Sequence, residues 1–373
     1  MRILALEPYY GGSHKAFLDG WKSVSRHEWT LLHLPPYKWK WRMRHSAVTF
    51  ADEVRQLVSE GRCWDVIFCS DILNLAEFLG LAPRPVQPLP AVSYFHENQL
   101  TYPVRCESER DYQFAVTNMT SALAAASVWF NSAFHRDSFL EALAAFLKKM
   151  PDYRPADIVE RIRGKSAVYP PGIDAIARRG EREAGPMRIL WAARWEHDKN
   201  PEDFFNALKI LRDRDIEFRI SVIGERFREA PEVLEWARDY FAEQIDCWGY
   251  QDNRAEYEAA LTQADIFVST AKHEFFGMTA VEAIFAGAYP VLPRRLAYPE
   301  ILRLNHEKHA EAFFYDGSVT HLANKLAALA ERVGNGSLWS EDTRRVVRSM
   351  ERFTWDNLVD ILDEAVDKVG FNH

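Results

Sequence analysis

Two glutamates, Glu274 and Glu282, and the residues between them are the part of this chain best placed to do chemistry. Glu274 follows Ile266 to Ser269, a short apolar run of β-formers that reads as a buried strand. After Ala271-Lys272-His273-Glu274 the period changes. Phe276, Ala280, Ala283, Ile284 and Ala286 mark a helical face that Gly287 stops, and Tyr289 to Leu292 reads as the next strand. Glu274 then sits in a βα turn. Gly277, Met278 and Thr279 offer N–H groups to an anion at the helix start, and Glu282 lies two turns further on. A carboxylate beside an anion-binding helix end suits a ligand with both phosphate and sugar hydroxyls. A dipole-favoured acid followed by a solvated glutamate would leave the same spacing.

Three further stretches follow expected strands. In Ala193-Arg194-Trp195-Glu196-His197-Asp198-Lys199-Asn200-Pro201, Arg194 and Lys199 could converge on a diphosphate, the first as a planar fork and the second as a point charge. Two fixed cations can stabilise a departing diphosphate without a metal. In Glu7-Pro8-Tyr9-Tyr10-Gly11-Gly12-Ser13-His14, the adjacent Gly11 and Gly12 let backbone approach a phosphate, although the string is not GxGxxG. Phe95-His96-Glu97-Asn98 ends another strand, where His96 is either set against a reacting group or is a satisfied strand-end histidine. A fourth segment, Pro36 to His45, interleaves Lys38, Lys40, Arg42 and Arg44 with Trp39 and Trp41 in an irregular stretch. It could track phosphates while stacking on splayed bases. Its tryptophans could equally pack beneath a loop, or the segment could rest on an anionic membrane.

These motifs need a frame. The chain has 373 residues, which favours two domains, and 47% are hydrophobic, ample for two cores. The net charge of −8 argues against a protein that coats nucleic acid, though not against a local basic patch. Cys63, Cys69, Cys106 and Cys247 form no CxxC pair, so a reduced compartment without structural zinc is expected. Met1 leads directly into a strand, with no signal peptide and no long apolar span, which predicts a cytosolic protein. Strands and helices alternate in both halves, so the fold class is α/β with two doubly wound parallel sheets. The first domain is expected over 1–177 and the second over 186–350. The charged Arg178 to Gly185 reads as a linker, and 351–373 as a helix packing across the domains towards the first. Polar motifs that all follow strands should line a cleft between the domains.

The second domain resembles the retaining GT-B glycosyltransferases of family 4, through Arg194 with Lys199, Gly249-Tyr250, and His273-Glu274-Phe275-Phe276-Gly277 on to Glu282. The resemblance implies that Arg194 and Lys199 hold a donor diphosphate, Glu274 reads the hexose, Glu282 reads the ribose, and the backbone of Gly277, Met278 and Thr279 meets phosphate. Gly11-Gly12 looks like the family's glycine loop and His96 like its active-site histidine. Ala193 departs from the glycine that often precedes the arginine. Glu7 to Trp21, Ser93 to Pro103 and Phe130 to Phe139 narrow the resemblance to the tRNA-queuosine mannosyltransferase family, over nearly the whole chain. That implies transfer of α-mannose from GDP-mannose to a cyclopentene hydroxyl of queuosine at position 34 of a tRNA, for aspartate. The enzyme would be retaining and metal-independent, with no cofactor, no membrane and no obligate protein partner. Two other readings stand beside it. One is a GT-B enzyme for lipid-linked or small-molecule glycans, and the other a non-catalytic sugar-nucleotide or RNA-binding protein.

Overall fold

The computed structural model describes residues 1–104, 110–152, 154–155, 157–226 and 230–371. The cysteine at 106 lies outside them. The chain divides into two compact units, Met1–Gly172 with the tail from Trp355 onward, and Ile173–Thr354.

The first unit is built on strands β1 (Arg2–Glu7), β2 (Glu28–His33), β3 (Val66–Ser70), β4 (Ala91–Phe95), β5 (Ser127–Phe130) and β6 (Ser166–Val168). All are parallel, in the order β2-β1-β3-β4-β5-β6. Side chains alternate between the faces, as a period of two requires. Ile3, Val66, Phe68, Val92 and Tyr94 enter one core with Phe17, Trp21 and Trp129. Leu4, Leu6, Ile67, Cys69, Ala91 and Phe95 enter the other with Phe50, Phe78 and Phe139. Because both faces are covered, β3 and β4 are buried end to end and read in sequence as unbroken apolar runs.

The C-terminal helix Trp355–Phe371 closes the first of these cores with Leu358, Leu362 and Val366. Its anchor is Asp363, whose carboxylate accepts from Trp21 Nε1 at 2.8 Å, Ser25 Oγ at 2.8 Å and the Arg26 backbone N–H at 2.9 Å.

The second unit carries β7 (Met187–Ala192), β8 (Phe218–Ile223), β9 (Ile245–Gly249), β10 (Ile266–Val268), β11 (Tyr289–Pro293) and β12 (Phe314–Tyr315). They are parallel, in the order β12-β11-β10-β7-β8-β9. The edge strands β6 and β12 went unread in the sequence because they have only three and two residues, too few for an apolar run. Strand order reverses between β1 and β3 in one sheet and between β7 and β10 in the other, and ligands settle at the carboxyl ends of strands flanking such a reversal.

Two expectations are corrected. The charged stretch 178–185 is not a linker but part of the second unit. Arg179 Nη1 meets Asp265 Oδ1 at 2.7 Å, Arg182 Nε meets the same oxygen at 2.9 Å, and the Arg179 N–H donates to the Ala286 carbonyl at 2.7 Å. Arg179 and Arg182 answer a fully buried aspartate rather than solvent. The segment 36–45 is not an irregular loop either, because Trp39–Ser59 is one helix of 21 residues. A residue every 100° places Trp39 and Met43 on the same inward side, where Trp39 packs on Phe114 at 5.2 Å between ring centroids.

Candidate functional site

In the second unit, the turn after β10 and the loop after β7 are stitched together at the switch point. Thr270 Oγ1 donates to the Lys199 carbonyl at 2.9 Å, and the Lys272 N–H donates to the Asp198 carbonyl at 2.7 Å. This stitching brings Lys199 and Glu274 together as the sequence predicts. Lys199 is buried, and its Nζ lies 3.2 Å from Glu274 Oε2, 3.2 Å from Asp198 Oδ2 and 2.9 Å from the His273 carbonyl. Burial opposes the ammonium charge, but Glu274 and then Asp198 outweigh it and raise the pKa, so Lys199 is firmly cationic. His273 is pushed down to about 4 by burial and by Lys199, so its imidazole is neutral.

Arg194 follows β7. Its Nη2 pairs with Glu196 Oε2 at 3.1 Å, and its charge is felt at Lys199 and His273. Ala193 stands where the family often has glycine, and the close approach at this point falls on the neighbouring strand. A Cβ on Gly224 would lie 1.8 Å from the Ala193 carbonyl oxygen, so glycine is required at 224.

Gly277, at φ 100°, turns the chain from Glu274 into the helix Met278–Ala286, so that Met278 and Thr279 form its first turn. No acidic residue occupies that turn, which leaves the positive end of the helix available to an anion. Glu282 is buried on the same helix and is already held by Tyr257 Oη at 2.6 Å and Arg254 Nη1 at 3.3 Å. Burial raises its pKa, against the pull of Tyr257 and Arg254. Gly249 ends β9 with its carbonyl accepting from the Gly224 N–H at 3.1 Å, and Tyr250 beyond it is exposed.

In the first unit a second cluster gathers at the reversal between β1 and β3. Glu7, at the end of β1, accepts from the Tyr9 N–H at 2.9 Å and Ser70 Oγ at 3.0 Å, and its other oxygen meets His14 Nδ1 at 3.2 Å. Burial works against a charged His14, but Glu7 outweighs it, with Asp71 and Glu97 adding to the effect, and the pKa rises to about 9. The imidazole of His96 stacks on that of His14 at 4.0 Å. Burial and then the charge on His14 hold His96 well below its ordinary value, so it is neutral.

The backbone of His96 is clamped at both ends. Its N–H donates to Asp71 Oδ1 at 2.9 Å, and its carbonyl accepts from Asn131 Nδ2 at 2.9 Å. Its Nε2 is buried with no hydrogen-bond partner among the described residues, and the same holds for Asp71 Oδ2. His96 is therefore not a satisfied strand-end histidine. A buried polar atom left unpaired costs about 1–3 kcal/mol, a cost that a ligand can relieve.

Gly11 caps the helix Gly12–Val24 and lies against Pro36. Glu7, His14 and His96 each bring one ligand atom within 4.8 Å of the others, the spacing of a metal triad. The two imidazole planes are stacked with 29° between them, so their in-plane lone pairs cannot converge on one ion unless a ring turns.

Of the basic-aromatic residues, Lys38, Lys40, Trp41 and Arg44 are exposed, and Trp41 lies over His45 at 5.0 Å. Arg42 reaches the Pro35 carbonyl at 3.2 Å, and Arg44 pairs with Asp111 at 3.1 Å while lying over Phe114. Sequence reasoning missed Asp71, Asp198, Asn131, Tyr257 and Arg254. Asp71 and Asp198 had a usable signal, since each follows a strand beside a switch point.

Known proteins give an independent measure. Residues 2–173 match the model of the tRNA-queuosine alpha-mannosyltransferase N-terminal family, and residues 173–338 that of glycosyl transferases group 1. The chain is 38% identical over 311 residues to a tRNA-queuosine alpha-mannosyltransferase of Drosophila melanogaster, covering 80% of this chain and 81% of that one. It is 26% identical to a GDP-mannose:cellobiosyl-diphosphopolyprenol alpha-mannosyltransferase of Xanthomonas oryzae, over 83% of this chain and 76% of that one. Among solved structures, sucrose-phosphate synthase of Thermosynechococcus elongatus superposes with a TM-score of 0.71 at 12% identity, covering 100% of both chains. Anabaena HepE in complex with UDP gives 0.69 at 13% identity, covering 99% of this chain and 100% of that one. These likenesses show the GT-B fold that the family resemblance implies, built on the two parallel sheets expected from the alternation of strands and helices.

Proposed function

The chain belongs to the tRNA-queuosine alpha-mannosyltransferase family, and on that premise we propose that it moves α-mannose from GDP-mannose onto a cyclopentene hydroxyl of queuosine at position 34 of tRNA-Asp. The observation that carries the donor side is the Lys199–Glu274 contact of 3.2 Å at the head of the helix Met278–Ala286. A diphosphate would take the place of one carboxylate at Lys199 and share the helix N-terminus. Glu274, released from Lys199, would then accept a hydrogen bond from a hexose hydroxyl.

As the bond from the anomeric carbon to the diphosphate breaks, the charge grows on phosphate oxygens facing Arg194, Lys199 and the helix end. The bond from the acceptor oxygen to that carbon forms on the same face, and the acceptor's proton passes to the departing phosphate. The reaction is then retaining, with neither a metal nor a protein base. Glu282 is read as the ribose partner, since its oxygens can accept more bonds than Tyr257 and Arg254 supply. Tyr250 is read as the surface beside the base. His96 offers Nε2 to the sugar near the reacting face, with Gly11 and Gly12 alongside.

On the acceptor side, Lys38, Lys40 and Trp41 are proposed to meet the RNA first, with Trp39, Arg42 and Arg44 shaping the helix end that presents them. The choice of GDP is supported by the donor named for the Xanthomonas relative. A cytoplasmic location fits a tRNA substrate, and among the described residues no helix is long and apolar enough to cross a membrane. Incubating queuosine-containing tRNA with a panel of labelled sugar nucleotides tests the assignment. GDP-mannose alone should label the tRNA, and equal labelling from a UDP-sugar would refute the donor.

A further inference from the structure

The cluster at the β1/β3 reversal is unevenly charged. Glu7 is answered by His14 at 3.2 Å. Asp71 and Glu97 have no ion-pair partner among the described residues. Asp71, fully buried at the end of β3, spends Oδ1 on the His96 N–H at 2.9 Å and leaves Oδ2 without a hydrogen bond. Glu97, half-buried at the end of β4, accepts from Gln99 Nε2 at 3.0 Å on one oxygen only. The turn that carries it is fixed: the Gln99 N–H donates to Asn118 Oδ1 at 2.8 Å, and Asn118 Nδ2 donates to the Asp71 carbonyl at 3.0 Å. The backbone N–H groups of His96 and Glu97 both point at Asp71 Oδ1, at 2.9 and 3.5 Å, and the charge of Glu97 is felt at Asp71 and at His14. Glu97 has no cation to answer it among the described residues, and a cation arriving there would favour the charged form of both carboxyl groups. The repulsion is visible in Asp71. Burial first, and then Glu97 and Glu7, raise its pKa to about 8, against the pull of His14.

A sugar donor brings no cation, but the acceptor does. Queuosine joins its cyclopentene diol to the base through a secondary amine, which is protonated in neutral solution. We propose that Glu97, with Asp71 behind it, receives the secondary ammonium of the acceptor nucleoside. This inference rests on the queuosine reading above. The amine lies next to the ring that carries the accepting hydroxyl, so an ion pair at Glu97 places that ring beside His96. The same pair rejects unmodified guanosine, which has no cation to offer. Glu97 is thus a specificity residue that acts on acceptor binding, with no part in bond breaking.

The test is titration calorimetry of the folded full-length chain with free queuosine nucleoside and with its N-acetyl derivative, which has no charge at that nitrogen. Wild type should bind the amine at least ~10-fold more tightly than the amide, as expected for a charge pair in a water-poor site. Glu97→Gln should bring the ratio close to one, with melting temperature no lower than wild type and GDP-mannose affinity unchanged. Glu97→Asp should restore part of it. A ratio that survives in Glu97→Gln, or wild type that binds amine and amide equally, overturns the proposal and leaves the functional reading standing. Wild type that binds neither nucleoside overturns the functional reading itself, and the proposal with it.

Discussion

Lys199 concentrates the residue-scale argument, because all three of its near neighbours on the protein are oxygens, two of them carboxylate. Lys199→Met should lower turnover by about 10²–10³-fold, the usual cost of losing one preorganised partner for developing charge. Steady-state transfer assays would check this, and a change confined to KM would point to binding alone. The pH dependence follows from His14. Its folded pKa of about 9 stands above the ordinary 6.5. The Glu7–His14 pair therefore contributes at most ~3 kcal/mol, fully present below about pH 6.5 and lost as pH rises through about 9. Melting temperature should fall over that window in wild type and fall less in His14→Gln. Lys199 with Glu274 was legible in the sequence, because both follow strands and sit at recognisable turn chemistry. The Glu7–His14–His96 stack and the orphaned Asp71 were not. They are contacts across β1, β3 and β4, and strand order is not written in local pattern.

Turns and caps decide how well the elements hold these residues. Gly277 adopts φ 100°, and a Cβ there would lie 3.0 Å from the Tyr298 ring. Gly277→Ala should cost about 1–2 kcal/mol from the left-handed backbone. It should also raise the KM for donor more than it lowers turnover, as donor titration would show. The helix Pro201–Asp213 opens on a proline, and Arg254–Gln263 is capped by Asn253, whose side chain accepts from the Glu256 N–H. The start of the helix from Trp39 was read as irregular for a physical reason. Its first turn follows Pro35-Pro36 and a left-handed Lys38, and alternating charge and aromatic residues hide a 3.6-residue period.

On the scale of the whole molecule, the first unit is discontinuous. The tail helix supplies Leu358, Leu362 and Val366 to a core otherwise built from residues before Tyr169, and its Asp363 satisfies Trp21, Ser25 and the Arg26 backbone. A chain ending at Thr354 should therefore fail to fold in its first unit. Limited proteolysis would show fragments from 1–172 degraded. The amphipathic tail was legible as a helix that packs towards the first domain; that it is an integral layer of the first unit's core was not, because an apolar stripe does not name the side chains it covers. Both sheets carry a polar cluster at their order reversal, and the proposed function assigns one to the sugar nucleotide and the other to the acceptor. The measurement that tests this division most directly is transfer of labelled mannose from GDP-mannose to one tRNA prepared with and without queuosine. The account predicts label on the queuosine form alone, abolished by Lys199→Met. Equal label on both forms, or none on either, would contradict it.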